Sequence, residues 1–153
     1  MKLDIMERIS KNFTYEEFEK SATADAHGIV NRIPVHLKPA VRALTVNLLQ
    51  PVCDKMGWHN IISSGYRCDE LNRIVGGVAT SQHRKGEAAD NKFYEVVNGK
   101  KVMISPIEVA RTVIDMGLVF DQMILYPTFV HLSYCGANRK QVLYNKRYTG
   151  SRL

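Results

Sequence analysis

Two histidines and an aspartate in the 153-residue chain have the chemistry of a metal site: His83, Asp90 and His131. His83 and Asp90 lie in one string, Ser81-Gln82-His83-Arg84-Lys85-Gly86-Glu87-Ala88-Ala89-Asp90. Imidazole nitrogen and carboxylate oxygen are both zinc donors. Gly86 permits a close turn between them, and Ala88 and Ala89 leave room near a buried centre. His131 lies in Thr128-Phe129-Val130-His131-Leu132-Ser133-Tyr134, alternating with apolar residues. On a strand, His131 and Ser133 share one face, and Val130 and Leu132 the other. Three protein ligands and an open fourth position make a catalytic zinc arrangement. A His and an Asp at this separation also recur by chance, so spacing alone leaves a passive reading open. His27, His36 and His59 have no such partners and read as surface or capping residues.

The elements that must position these residues follow from periodicity and punctuation. Phe13-Thr14-Tyr15-Glu16-Glu17-Phe18 reads as a helix start: Thr14 caps, Glu17 closes a capping box, and Phe13 and Phe18 form a hydrophobic staple. Leu37, Val41, Leu44, Leu48, Val52 and Met56 recur in helical steps and predict the longest helix, from about Pro39 to Met56. Pro51 inside it predicts a kink or local break, and Gly57 a stop. Asn60–Ser64 reads as a strand and Asp69–Val75 as a short helix. Asn98-Gly99 between Val-rich flanks predicts a hairpin over Glu95–Ile104. Ser105-Pro106-Ile107-Glu108 opens another helix with a cap, a first-turn proline and a capping-box glutamate. Leu118–Tyr126 and Phe129–Tyr134 read as strands joined by a tight turn at Pro127, and Gln141–Tyr144 as a last strand. Helices first and strands later predict an α+β domain: a small antiparallel sheet with N-terminal helices packed on it and the metal site on the sheet.

Composition narrows the class. The chain has 45% hydrophobic and 24% charged residues, close to the globular average. Its length suits one domain, read here as residues 1–153. No apolar run reaches membrane-spanning length. Charges at Lys2, Asp4, Glu7, Arg8 and Lys11 leave no apolar core for a secretion signal, so a cytoplasmic chain or signal-independent release is expected. Twenty-one Lys and Arg against 15 Asp and Glu give +6, which favours polyanions without choosing among them. Cys53, Cys68 and Cys135 are odd in number and far apart, with no C-x-x-C, so neither a disulfide framework nor a thiolate zinc site is indicated.

A longer ordered string carries more weight: Ser64-Gly65-Tyr66-Arg67, Leu71-Asn72, Val75-Gly76-Gly77, Ser81-Gln82-His83-x-x-Gly86-x-Ala88-x-Asp90, Phe120-Asp121-Gln122 and Val130-His131-Leu132-Ser133. Together with Asn12-Phe13-Thr14 and Ser21-Ala22-Thr23-Ala24, it closely resembles the zinc D-Ala-D-Ala carboxypeptidase family of peptidoglycan metallopeptidases. That family includes D,D- and L,D-carboxypeptidases and phage L-alanyl-D-glutamate endolysins. The resemblance extends from Phe13 to Tyr144, is nearest the small phage and prophage members, and leaves 145–153 as a basic tail. It implies zinc on His83, Asp90 and His131, with zinc-bound water attacking an amide. It also implies Arg67 beside the metal, binding a peptide carboxylate or the developing oxyanion, and substrate contacts from Ser81 and Asn72.

The chain departs from its relatives in one respect that bears on catalysis. Several relatives carry an acid three residues before the last zinc histidine, where this chain has Thr128; others place one near position 126, here Tyr126. The remaining carboxylates nearby are Asp121 and Glu87, and Asp121 is taken as the catalytic base or as a group orienting a ligand. Asn91-Lys92 replaces the usual apolar β-branched continuation after Asp90, which predicts a slightly weakened strand. Cys68 reads as a passive neighbour of Arg67.

The expected function is a zinc-dependent peptidoglycan hydrolase, a carboxypeptidase or endopeptidase acting on wall stem peptides in cell wall degradation, as an endolysin does. It would be made without a signal peptide, act on the wall after release, and work as a monomer. The alternative is a zinc-binding, catalytically weak or silent wall-binding or phage structural module, favoured by Thr128 and Tyr126 in place of acids. Specific nucleic-acid binding rests on charge alone, since no recognition-helix, zinc-finger or RNA-binding signature appears; membrane association is not expected.

Overall fold

The computed structural model describes residues 7–153. The first six residues, with the charges at Lys2 and Asp4, lie outside the described region. Strands β1 (Arg8–Ser10) and β2 (Phe13–Thr14) form a small antiparallel ribbon that leads into α1 (Tyr15–Glu19). The Glu17 carboxylate accepts the Thr14 amide at 2.8 Å, and the Phe13 and Phe18 rings meet at 6.3 Å, so capping and staple both form. The short α2 (Ala22–Ala26) follows, capped by the Ser21 hydroxyl.

The long helical segment comprises α3 (Lys38–Leu44), a π-helical stretch Thr45–Leu49, and α4 (Gln50–Met56). Pro51 has no N–H to return to the preceding turn. The chain accommodates it by widening the turn before it, with the Gln50 amide reaching back to the Thr45 carbonyl. The interruption expected at Pro51 thus takes the form of a π-bulge just before it. Its apolar stripe of Val41, Leu44, Leu48, Leu49 and Val52 is buried.

The main sheet contains β3 (His59–Ser64), β4 (Ala88–Val97), β5 (Lys100–Met103), β6 (Gln122–Leu125), β7 (Val130–Ser133) and β8 (Gln141–Tyr144). Helix α5 (Asp69–Ile74) follows β3, and α6 (Pro106–Asp115) lies between β5 and β6. Ser105 precedes α6 without a side-chain cap bond, so that capping box is not made. Asn98 and Gly99 adopt φ of 51° and 75°, the turn that closes β4 onto β5. Strand order is β3-β4-β7-β6-β8, with β5 alongside the far end of β4.

The sheet is mixed, which corrects the expected all-antiparallel arrangement: β8 pairs parallel with β6. The reason is topological. One side of β7 is held by β4 and the other by β6, so the returning chain cannot pair with β7 and instead joins the free edge of β6. A strand that runs back from β7 is then necessarily parallel to β6. Strand β6 is also shorter than predicted, because residues 118–121 are not ladder-paired.

One face of the sheet carries Ala89, Phe93, Met123, Leu125, Val130 and Leu132 into the core with the helices. Asn91 lies on that apolar face at 1% exposure. Its amide donates to the Ala89 and Val130 carbonyls at 2.8 and 3.2 Å and accepts from Asn60 at 3.1 Å. The expected weakening is offset by these bonds. Among the described residues, no helix is long and apolar enough to cross a membrane.

Candidate metal centre

Register places four site residues in one row across the sheet. Ser64 of β3 faces Asp90 of β4, Asp90 faces His131 of β7, and His131 faces Ile124 of β6. Cross-strand neighbours on one face lie within side-chain reach. His83 reaches the row from a separate 3₁₀ turn, Gln82–Lys85, which Ser81 opens by accepting the His83 amide and Gly86 closes at φ 70°.

The donor set suits a metal. One ligand atom from each of His83, Asp90 and His131 lies within 4.8 Å of the others. The His83 Nδ1 lies 2.7 Å from the Gly65 carbonyl, which can only accept, so Nδ1 holds the proton and Nε2 presents a lone pair. Asp90 Oδ1 lies 3.5 Å from that Nε2 and 3.0 Å from His131 Nδ1. Tetrahedral zinc with bonds of about 2.0–2.1 Å has ligand-to-ligand edges of about 3.3 Å, so both separations fit. Burial opposes charge on Asp90, but the two imidazoles outweigh it and hold its carboxyl well below the usual carboxylate range. The group contains no cysteine. Burial pushes the Cys53 thiol up to about 12, which suits an inert core residue.

Gly65 has no room for a side chain: an added Cβ would stand 2.7 Å from the Phe18 Cα and carbonyl oxygen. Gly65→Ala must therefore push apart β3 and α1 and move the carbonyl that orients His83. Overpacking of this kind costs about 1–3 kcal/mol. Urea unfolding should show that loss together with weakened zinc affinity; unchanged values in both would refute the tight contact.

Arg67 is fixed from two sides. Its Nε donates to Ser64 Oγ at 3.2 Å and its Nη1 to Asn72 Oδ1 at 3.1 Å. Asn72 is 3% exposed and donates its own amide to the Val78 carbonyl at 2.9 Å. Asn72 is thus spent on Arg67 and the following loop, and does not line the cleft beside the metal centre. Gly77 makes the clamp possible, since a Cβ there would fall 2.0 Å from Asn72 Oδ1. Burial lowers the Arg67 pKa, against the raising effects of Asp90 and Tyr126.

The cleft measures about 560 Å³ and is lined by Arg67, Ser81, His83, Asp90, Tyr126 and His131, among others. Asp121 and Glu87 do not line it, and Asp90 is the single carboxylate among the described lining residues. Parity explains Asp121. From 121 to 126, buried and half-buried residues alternate, so Gln122, Ile124 and Tyr126 face the cleft while Asp121, Met123 and Leu125 turn inward. Arg139 covers Asp121: its Nε and Nη2 bond the two carboxylate oxygens at 2.9 Å each, and its backbone amide adds a bond at 3.0 Å. No signal short of the sheet register would have singled out Arg139. Thr128 lines a different groove, with Lys92 and Pro106.

The Arg139 guanidinium holds the Asp121 carboxyl below the usual carboxylate range. A carboxyl whose pKa is depressed on folding stabilises the fold above its unfolded value of about 3.9, and loses that contribution as pH falls toward the folded value. Asp121→Asn should therefore flatten the acid limb of stability below about pH 4. Thermal unfolding between neutral and acid pH, compared with the parent protein, checks this; identical acid limbs would contradict it.

A family model described as Peptidase M15 matches residues 11–133. No curated protein matches the chain.

Proposed function

The chain belongs to the M15 peptidases, the zinc D-Ala-D-Ala carboxypeptidase family, and from that membership we propose a zinc-dependent peptidase that cuts peptidoglycan stem peptides. The observation that carries the reading is the ligand set, with Asp90 Oδ1 3.5 and 3.0 Å from two imidazole nitrogens at one wall of an open cleft.

His83, Asp90 and His131 would hold the ion. Zinc bound there would supply Lewis acidity, polarising the scissile carbonyl and acidifying a water. Gly65 fixes the His83 tautomer through its carbonyl. Arg67, held by Ser64 and Asn72, offers its remaining guanidinium donors to a peptide carboxylate or to the carbonyl oxygen that gains charge. Ser81 lines the cleft and holds the turn of His83, so it serves both substrate and ligand. Asn72 acts by positioning Arg67. A base role for Asp121 finds no support in the geometry, because the carboxylate is 1% exposed, turned from the cleft and engaged by Arg139; its role is to anchor Arg139 at the rim.

Residues 1–153 are proposed to act as one domain and as a monomer, in a phage or prophage setting where the enzyme reaches the wall after release. The net charge of +6 supports attraction to anionic wall polymer. One observation favours the second reading, a zinc-binding wall module with little turnover: no carboxylate besides Asp90 lines the cleft among the described residues.

Mass spectrometry of purified peptidoglycan, digested with zinc-loaded protein and with a chelated control, decides between them. Loss of a terminal alanine identifies a carboxypeptidase, and split stems or crosslinks an endopeptidase. No metal-dependent product from walls of several chemotypes overturns the peptidase reading in favour of the module.

A further inference from the structure

We propose that the Tyr126 phenol is a catalytic hydrogen-bond donor of this cleft, placed to bond the substrate oxygen on which negative charge develops and to share that charge with Arg67. The inference rests on the peptidase reading and adds a residue to its machinery.

Three observations carry it. First, the alternation of β6 turns Gln122, Ile124 and Tyr126 to the cleft, and Ile124 is the register partner of His131. Tyr126 is thus one step along the same face from the neighbour of a metal ligand. Second, the ring is held. The Tyr126 amide donates to the Phe129 carbonyl at 3.0 Å, and the two rings stack at 4.2 Å with only 13° between their planes. A donor fixed before substrate arrives needs no reorganisation as charge develops. Third, few ionisable groups line the cleft among the described residues. The other ionisable residues lining the cleft are Arg67, Arg139, His83, Asp90 and His131. The three candidate ligands face the metal position, and Arg139 is turned to Asp121 by its Nε and Nη2; of the ionisable groups this leaves Tyr126 beside Arg67, with the neutral side chains of Thr80, Ser81, Gln82 and Gln122 elsewhere on the lining.

The electrostatics agree with this placement. Burial and the charge of Asp90 raise the Tyr126 pKa, with Arg67 opposing. The phenol therefore stays protonated at neutral pH, suited to donating a hydrogen bond and unsuited to acting as base. No covalent bond to Tyr126 forms or breaks; it lends its O–H and keeps the proton.

The test is Tyr126→Phe, which removes one oxygen and keeps the ring stacked on Phe129. Loss of an oxyanion donor lowers turnover by about 100-fold or more, so kcat should fall by that order with KM and zinc content nearly unchanged. Binding gives a second readout that needs no turnover. Phosphinate analogues of D-Ala-D-Ala and of L-Ala-D-Glu carry a tetrahedral anion, whereas the free dipeptides do not. Titration calorimetry should show the variant losing phosphinate affinity by about the factor lost in kcat while dipeptide affinity holds. Equal losses for phosphinate and dipeptide, a loss confined to KM, unchanged phosphinate affinity, or no phosphinate binding by the parent protein would each overturn the proposal. Phe129→Leu, which frees the ring without removing the phenol, should give a smaller loss of the same pattern. A parent protein that binds zinc and phosphinate but releases no wall fragment fails the peptidase reading, while the two affinities still decide the role of Tyr126.

Discussion

His131→Ala is expected to empty the metal centre and abolish hydrolysis of wall peptide. His131 offers one of the three candidate donors, and its Nδ1 stands 3.0 Å from the Asp90 oxygen that lies near both imidazoles. Removing partners that merely orient a zinc ligand already lowers metal affinity or activity 10–100-fold. Loss of a ligand itself should exceed about 100-fold in zinc affinity on that scale. Asp90→Asn tests the same centre differently: it keeps the size of the side chain and its place in the β4–β7 ladder while removing the negative charge. Metal analysis after dialysis against weak chelator, alongside muropeptide release, checks both variants. Retention of stoichiometric zinc by either would remove that residue from the ligand set.

Arg67→Lys carries the second large effect. The guanidinium is bound at Nε by Ser64 and at Nη1 by Asn72, and only a planar fork can meet both while still presenting donors to the cleft. A lysine keeps the charge and loses that geometry. If Arg67 stabilises developing charge, Arg67→Lys should lower kcat by about 100–1,000-fold with the zinc content intact. Asn72→Ala should show a weaker form of the same defect, because it leaves the fork in place with one support gone. A lysine variant that turns over like the parent would show that Arg67 contributes charge alone; a variant that sheds zinc would show that it shapes the metal centre.

Much of the site was legible because its residues are marked by local rules. The Asn98-Gly99 hairpin, the Thr14 capping box and the strand of His131 each follow from a few neighbouring residues. The ligand candidates were legible because few residue types bind zinc and these fall in a specific string. What escaped was what depends on partners distant in sequence. The parallel edge strand β8 depends on which edge of the sheet the chain returns to, and no feature of Gln141–Tyr144 records that. Asp121 looked available because it is the nearest carboxylate in the chain, but one residue of strand parity turns it away from the cleft, and Arg139, 18 positions on, covers it. Asn72 stands where the resemblance implies a substrate-binding amide, and nothing local in the sequence shows that its oxygen accepts from Arg67. Pro51 announced a disturbance in the helix and gave no sign of its form, a widened turn upstream.

The buried amide of Asn91 has a consequence for assembly. Adjacent residues of β4 have opposite requirements: Asp90 needs the two imidazoles, and Asn91 needs the carbonyls of Ala89 and Val130 inside the core. Sliding β4 by one residue would exchange their faces. The carboxylate would then be driven into oil-like surroundings without its nitrogen partners, and the amide would lose the Val130 carbonyl across the ladder. A chain that brings all three candidate zinc donors together is thus one whose β4 has closed on β7 in the correct frame.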